Sequence, residues 1–166
     1  MPQQRAPVVA SHTRASSYDV CSIGAGIDAE TARLSAQVDL FWEKERRLYE
    51  SYGLGAARRV VELGCGPGFV LRHIAHEFPD LELHGLELDS DLLVRAREMF
   101  AEESLEVTVR EASILDTGYE EGAFDFVLVR LVLEHLPDPE RALHEILRIT
   151  KPGGRAVVMD NDFEMH

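Results

Sequence analysis

Past residue 53 the chain alternates short apolar runs with longer stretches whose apolar residues recur at helical spacing. Short runs rich in Val, Leu and Ile suit buried strands, and the helical spacing suits helices with one buried stripe. The alternation therefore predicts βα units around a parallel sheet. Strands are expected at residues 58–63, 81–86, 105–109, 124–129 and 155–159, and helices at 69–77, 91–101 and 139–150. The last helix has Pro139 at its first turn and Lys151, Pro152, Gly153 and Gly154 beyond its end, the usual order of proline before and glycine after. Upstream, Asp28 is placed to cap a long amphipathic helix in which Leu34, Val38, Phe41 and Leu48 share a face and which Gly53 stops. Residues 1–22 carry two prolines, many small polar residues and little periodicity, so they read as a mobile arm that Gly24 and Gly26 extend. Three segments follow: an arm at 1–23, a helical segment at 24–56 and a sheet domain at 57–166.

A chain of 166 residues suffices for one domain with a real core. Its 30 acidic residues outweigh 17 Lys and Arg, a net charge of −13. Such a field repels phosphate backbones and acidic membrane surfaces, which argues against nucleic-acid or membrane partners and for a small molecule. Cys21 and Cys65 are too few for a disulfide framework and fit a reducing compartment. No apolar run approaches the roughly 18 residues of a membrane helix, and Met1 to Tyr18 lacks the apolar core of a secretion signal. A cytoplasmic location is expected.

The densest chemistry lies in VVELGCGPGF, residues 60–69, where a β-branched strand runs into a loop with glycines at 64, 66 and 68 and then into a helix. Glycines let the backbone turn tightly and approach a ligand, and the helix behind them offers free N–H groups to an anionic group. A plain strand-to-helix turn or a dinucleotide site would share that loop. The GxGxG spacing, rather than GxGxxG, and the acidic Glu62 at the strand end tilt away from NAD. About 20 residues further on, Glu87 ends the second strand, where a carboxylate can accept both ribose hydroxyls or, as the other reading, stand as a solvated loop acid, and Leu88 beside it can cover an adenine face.

Together with REASILD, GAFDFVLVRLVLEHLPDPERALHEILRITKPGGR and VVMDNDF, the stretches VELGCGPG and GLELDSDLLVRAR resemble, in order and spacing, the class I S-adenosylmethionine (SAM) dependent methyltransferases that act on small molecules. The resemblance runs from Val60 to Asp162. It implies an α/β, Rossmann-like fold and SAM as cofactor, with S-adenosylhomocysteine (SAH) as product. It also implies that the Glu62 to Gly68 loop, with Gly64, Cys65 and Gly66, holds the methionine portion and that Glu87 holds the ribose. Glu111 and Ala112 fall where the family sets an acid and a backbone N–H against adenine, although many relatives read Gly-Asp-Ala where this chain has Arg110, Glu111 and Ala112. Arg130 falls where a backbone carbonyl meets the methionine amine. Relatives order their strands 3-2-1-4-5-7-6, so this chain is expected to form 3-2-1-4-5 behind an N-terminal helical lid, without the last two strands. The substrate half would then come from a longer polypeptide or a second chain, and a homodimer or that second chain would cover the edge of strand five. Methyl transfer in secondary metabolism is the leading functional expectation. A SAM-binding module whose catalysis is lost or depends on a partner chain is the alternative.

His135, in EHLPDP, is the histidine beside the expected methyl end and the candidate base, with a packed structural histidine as the other reading. His73, His76 and Glu77 share a helical turn, and Asp160 and Asn161 follow the fifth strand where catechol-type relatives bind a divalent ion. Those relatives also place an acid where this chain has Arg130, and a cation there repels the metal, so none is expected. Tyr18, Gln37 and Trp42 are candidates to close over the cofactor, with core packing the expected role of Trp42 and Phe41.

Overall fold

The computed structural model describes residues 26–161. The elements follow one another as α1 (Ile27–Ser51), β1 (Arg59–Leu63), α2 (Phe69–Glu77), β2 (Glu82–Glu87), α3 (Ser90–Glu102), β3 (Val107–Glu111), β4 (Phe124–Arg130), α4 (Pro139–Ile149) and β5 (Thr150–Met159), with short 3-10 turns at Leu54–Ala56 and Leu133–His135. The strands form one parallel sheet in the order β3-β2-β1-β4-β5. The expected five-strand Rossmann-like order and N-terminal helix are thus present. No described helix is long and apolar enough to cross a membrane.

Alternation along the central strands divides the core into two layers. Val60, Leu83, Phe126 and Leu128 face the layer that holds Val38, Trp42 and Tyr49 of α1, Leu71 and Ile74 of α2, and Phe100 of α3. Val61, Leu63, Leu86, Val127 and Val129 face Ala142, Ile146 and Ile149 of α4. Two helices start where the side chains before them can cap: Asp89 accepts from the Asp91 and Leu92 amides at 2.9 and 3.2 Å, and Asp138 accepts from Arg141 N at 3.0 Å ahead of Pro139.

Three expectations need correction. Gly26, not Asp28, is the N-cap of α1, and Asp28 sits in the first turn with its carboxylate on Arg95. The buried stripe of α1 is Val38, Trp42, Glu45 and Tyr49, while Phe41 and Leu48 are exposed. The helix is turned so that Trp42 Nε1 can donate to Glu77 Oε1 at 2.6 Å and the Trp42 ring can stack on His73, centroids 4.7 Å apart. Glu45 is buried because it is paired, which a count of apolar residues cannot register. Finally, α4 ends at Ile149 and β5 begins at Thr150, so the Lys-Pro-Gly-Gly stretch belongs to the strand. The β4–β5 register shifts there, between Phe124 and Phe126. Asp125 holds this corner, accepting from Lys151 Nζ at 2.7 Å and from the amide of Arg59 at 2.8 Å.

Gly85, in the middle of β2, is where the sheet admits the loop above it. A Cβ at this position would stand 2.8 Å from Cys65 Sγ, 2.9 Å from Leu71 Cδ1 and 2.9 Å from Val109 Cγ1. Overpacking of this kind costs about 1–3 kcal/mol. Gly85→Ala is expected to lower unfolding stability by that amount in urea denaturation. A variant as stable as its parent would show that Leu71 and Val109 move aside without cost.

Candidate functional site

The carboxyl ends of β1, β2 and β4 open into a cleft of about 520 Å³, walled on one side by Arg33, Leu34, Gln37 and Val38 of α1. Its floor is the loop from β1 to α2. The amides of Gly64 and Cys65 both donate to the Leu86 carbonyl, at 2.7 and 3.0 Å, which ties the loop to the end of β2. A Cβ on Gly64, whose φ is +75°, would lie 2.5 Å from Val132 Cγ2. Gly68, at φ +81°, is the N-cap of α2, and a Cβ there would lie 2.5 Å from Phe100 Cζ. Both positions require glycine on conformation and on space. No side chain caps α2.

Glu87, at the end of β2, reaches across to this loop. Its Oε2 accepts from Gly66 N at 2.8 Å, and its Oε1 from Leu88 N at 2.7 Å and Asp89 N at 2.9 Å. One carboxylate thus joins the two loops that border the cleft. Burial raises its pKa from the ordinary value, and the three amide hydrogen bonds hold the rise back.

Glu62, at the end of β1, is in a different state. It is 3% exposed, it lines the cleft, and its Oε2 is buried with no hydrogen-bond partner among the described residues. Burial pushes its pKa up to about 8, against the pull of the Arg130 charge. Arg130, on the same sheet face, gives its Nε to both carboxylate oxygens of Glu45, each at 3.0 Å, and Glu45 Oε2 accepts from Tyr49 Oη at 3.1 Å. Burial and the neighbouring carboxylate raise the Tyr49 pKa, so the phenol stays protonated and donates.

The remaining sequence-derived residues divide. Cys65, Gly66, Leu88, Ala112, Arg130 and His135 line the cleft with Glu62, Gly64 and Glu87; Gly68 and Glu111 do not. The Ala112 amide donates to the Glu87 carbonyl at 3.1 Å. Glu111 is exposed at the end of β3, in register with Glu87. His135 stands in the turn after β4, its Nε2 3.7 Å from Glu134 Oε1. Of the lid candidates, Gln37 lines the cleft, Trp42 packs between α1 and α2, and Tyr18 lies outside the described residues. His73 and His76 turn to separate carboxylates, Asp39 at 2.9 Å and Glu103 at 2.6 Å. Asp160 accepts from Glu134 N at 3.1 Å.

Sequence reasoning missed Ser113, Ile114, Leu131 and Glu45. Leu131 lines the cleft at φ +55°, a conformation costly for a bulky residue, with its amide held by the Met159 carbonyl at 2.7 Å. Nothing in the local pattern announces that turn. The arrangement as a whole suits a cationic ligand with a hydroxylated end: an orphaned buried carboxyl at one point, a second carboxylate braced by amides at another, and apolar walls between them.

Comparison with known proteins agrees with this geometry. Residues 61–158 match the family described as a methyltransferase domain. The chain is 32% identical over 127 residues to a demethylmenaquinone methyltransferase of Thermus thermophilus, covering 76% of this chain and 57% of that one. It is 29% identical over 106 residues to ajmaline N-methyltransferase of Rauvolfia serpentina, covering 63% and 36%. Phosphoethanolamine N-methyltransferase 2 of Haemonchus contortus, solved with phosphomonomethylethanolamine and SAH, superposes with a TM-score of 0.65 at 28% identity, covering 70% of this chain and 28% of that one. The chain therefore spans between about a quarter and three fifths of the length of these relatives. Because the family match runs from β1 into β5, across more than half the sequence, the chain belongs to the class I SAM-dependent methyltransferases.

Proposed function

We propose that the cleft binds SAM and that the chain transfers its methyl group to a small-molecule acceptor. The observation that carries this reading is Glu62, which lines the cleft and whose buried Oε2 has no hydrogen-bond partner among the described residues. A buried acceptor left unsatisfied is costly, and the α-ammonium of a methionine-derived ligand supplies the missing donor together with a compensating charge. In this reading Gly64, Cys65 and Gly66 bring backbone against the methionine portion. Glu87 takes a ribose hydroxyl, since a carboxylate has room for about four hydrogen bonds and three are in use. Leu88 and Ala112 flank the adenine. Ser113 and Ile114, which line the cleft where Glu111 does not, take its edge.

When bound, SAM supplies a methyl group on a sulfonium, an electrophile that needs no further activation. What is left to the protein is to orient the acceptor, exclude water and take a proton from the nucleophile. His135 on the cleft wall is the group proposed to take that proton. The ajmaline enzyme among the relatives supports an acceptor from secondary metabolism, and the quinone and phosphoethanolamine enzymes support small acceptors more broadly. The outer edge of β5, with Val158 exposed, supports pairing with a strand from a second copy or another chain.

Isothermal titration is expected to show SAM and SAH binding at about micromolar strength and no binding of NAD. Preference for NAD would overturn the reading. Radiolabelled methyl transfer to phenol, quinol and amine acceptors then tests the second half.

Glu87→Ala is expected to weaken SAH binding by about 1–3 kcal/mol and also to lower the melting temperature, because the Gly66, Leu88 and Asp89 amides lose their acceptor. An unchanged ligand-induced shift in melting temperature would remove Glu87 from the site.

Glu62 gives a pH signature. Its pKa is about 8 in the fold against an ordinary 4.5, so its contribution to folding stability is present below pH 4.5 and is lost as pH rises through about 8. A bound ammonium favours the ionised form, so binding releases a proton and tightens as pH rises within that window. SAH affinity is expected to rise by up to about tenfold per pH unit between about pH 6 and 7. Glu62→Gln is expected to flatten the profile, and a profile of equal slope in that variant would assign the dependence elsewhere.

A further inference from the structure

Glu62 and Arg130 ought to pair. Their strands are adjacent and parallel, with Glu62 opposite Leu128, and both residues project to the face covered by α1, as Val60 and Phe126 do. A guanidinium near a buried carboxyl normally forms a charge-assisted hydrogen bond with it. Here Arg130 makes its ion pair with Glu45 of α1 instead, both Nε contacts at 3.0 Å, with the two side chains only 9% and 7% exposed. Two buried carboxyls compete for one guanidinium, and the helix supplies the one that captures it. Tyr49, one turn further along α1, orients the captor through its hydroxyl.

Stability alone is weak ground for this arrangement, because a buried ion pair is often no better than apolar residues of equal volume. Its distinctive consequence is at Glu62, which lines the cleft and whose buried Oε2 has no hydrogen-bond partner among the described residues. We propose that Glu45 is a positioning residue: by holding the Arg130 side chain it keeps the Glu62 carboxyl available to the α-ammonium of the cofactor's methionine portion. The inference rests on the SAM reading above and adds a residue of α1 that touches neither cofactor nor acceptor. Without Glu45, Arg130 turns to Glu62, fills the ammonium position and neutralises the carboxylate that would receive it. The helix over the cleft thus sets which part of the ligand the cleft can recognise. Adenosine recognition, at Glu87 and Leu88, is left untouched.

The test compares SAH, which carries the ammonium, with 5′-methylthioadenosine, which shares the adenosine and thioether but lacks the amino acid. Titration of the 166-residue chain is done on the parent, on Glu45→Gln, and on Glu45→Gln combined with Arg130→Met. Glu45→Gln is expected to weaken SAH by about tenfold or more while 5′-methylthioadenosine stays within about twofold, and the double variant, which removes the competing cation, is expected to recover SAH binding to within about threefold of the parent. A general loosening of the cleft would weaken both ligands alike and would not be reversed by Arg130→Met. Equal losses for the two ligands, or unchanged SAH binding in Glu45→Gln, overturn the inference. A parent chain that binds neither ligand overturns the cofactor reading itself. If Glu45→Gln melts below the assay temperature, the double variant decides alone: SAH binding within about threefold of the parent supports the inference, and a loss of about tenfold overturns it.

Discussion

The site depends on a carboxylate that binds backbone. Glu87 gathers the amides of Gly66, Leu88 and Asp89, so two loops from different crossovers are held as one surface. Loop backbone at the mouth of a parallel sheet has no ladder to satisfy it, and without such a brace each amide would seek water independently. The brace works because Gly64 and Cys65 are already fixed to Leu86, one residue before Glu87, and because Gly85 leaves room for the loop to lie close to the strand. Sheet, loop and carboxylate therefore set one another's positions before any ligand arrives.

Against this ordered floor, the wall contributed by α1 is electrostatic. Glu45, Tyr49 and Arg130 form a buried polar chain that joins the N-terminal helix to the end of β4. Such chains are demanding, since each member must be satisfied for the others to be tolerated. Glu62 stands beside this chain without joining it, its buried Oε2 unpaired among the described residues.

Much of the fold was legible in the sequence. The short apolar runs locate the first four strands to within two residues and the end of the fifth, and the residues 69–77 helix lies where its pattern placed it, because a strand buried on both faces and a one-sided helix leave unlike signatures. The phase of α1 was not legible, because its buried stripe includes Trp42 and Glu45, whose partners Glu77 and Arg130 lie 35 and 85 residues away. Nor was the start of β5, since Gly154 meets the Asp125 backbone only after the sheet has formed. At the site, motif spacing pointed to Glu62, Gly64, Gly66 and Glu87, all of which line the cleft. It could not show that Arg130 would turn its side chain to α1, nor that Leu131 would bend the chain, because both depend on packing across elements.

The seam between α1 and α2 has a consequence of a different kind. The chain contains a single tryptophan, and it is Trp42, stacked on His73 and hydrogen-bonded to Glu77. Every photon of indole emission from this chain therefore comes from one junction, where the helix that walls the cleft packs on α2. The molecule carries its own optical probe there, whose colour and brightness report on the docking of that helix and on the His73 and Glu77 groups that touch it.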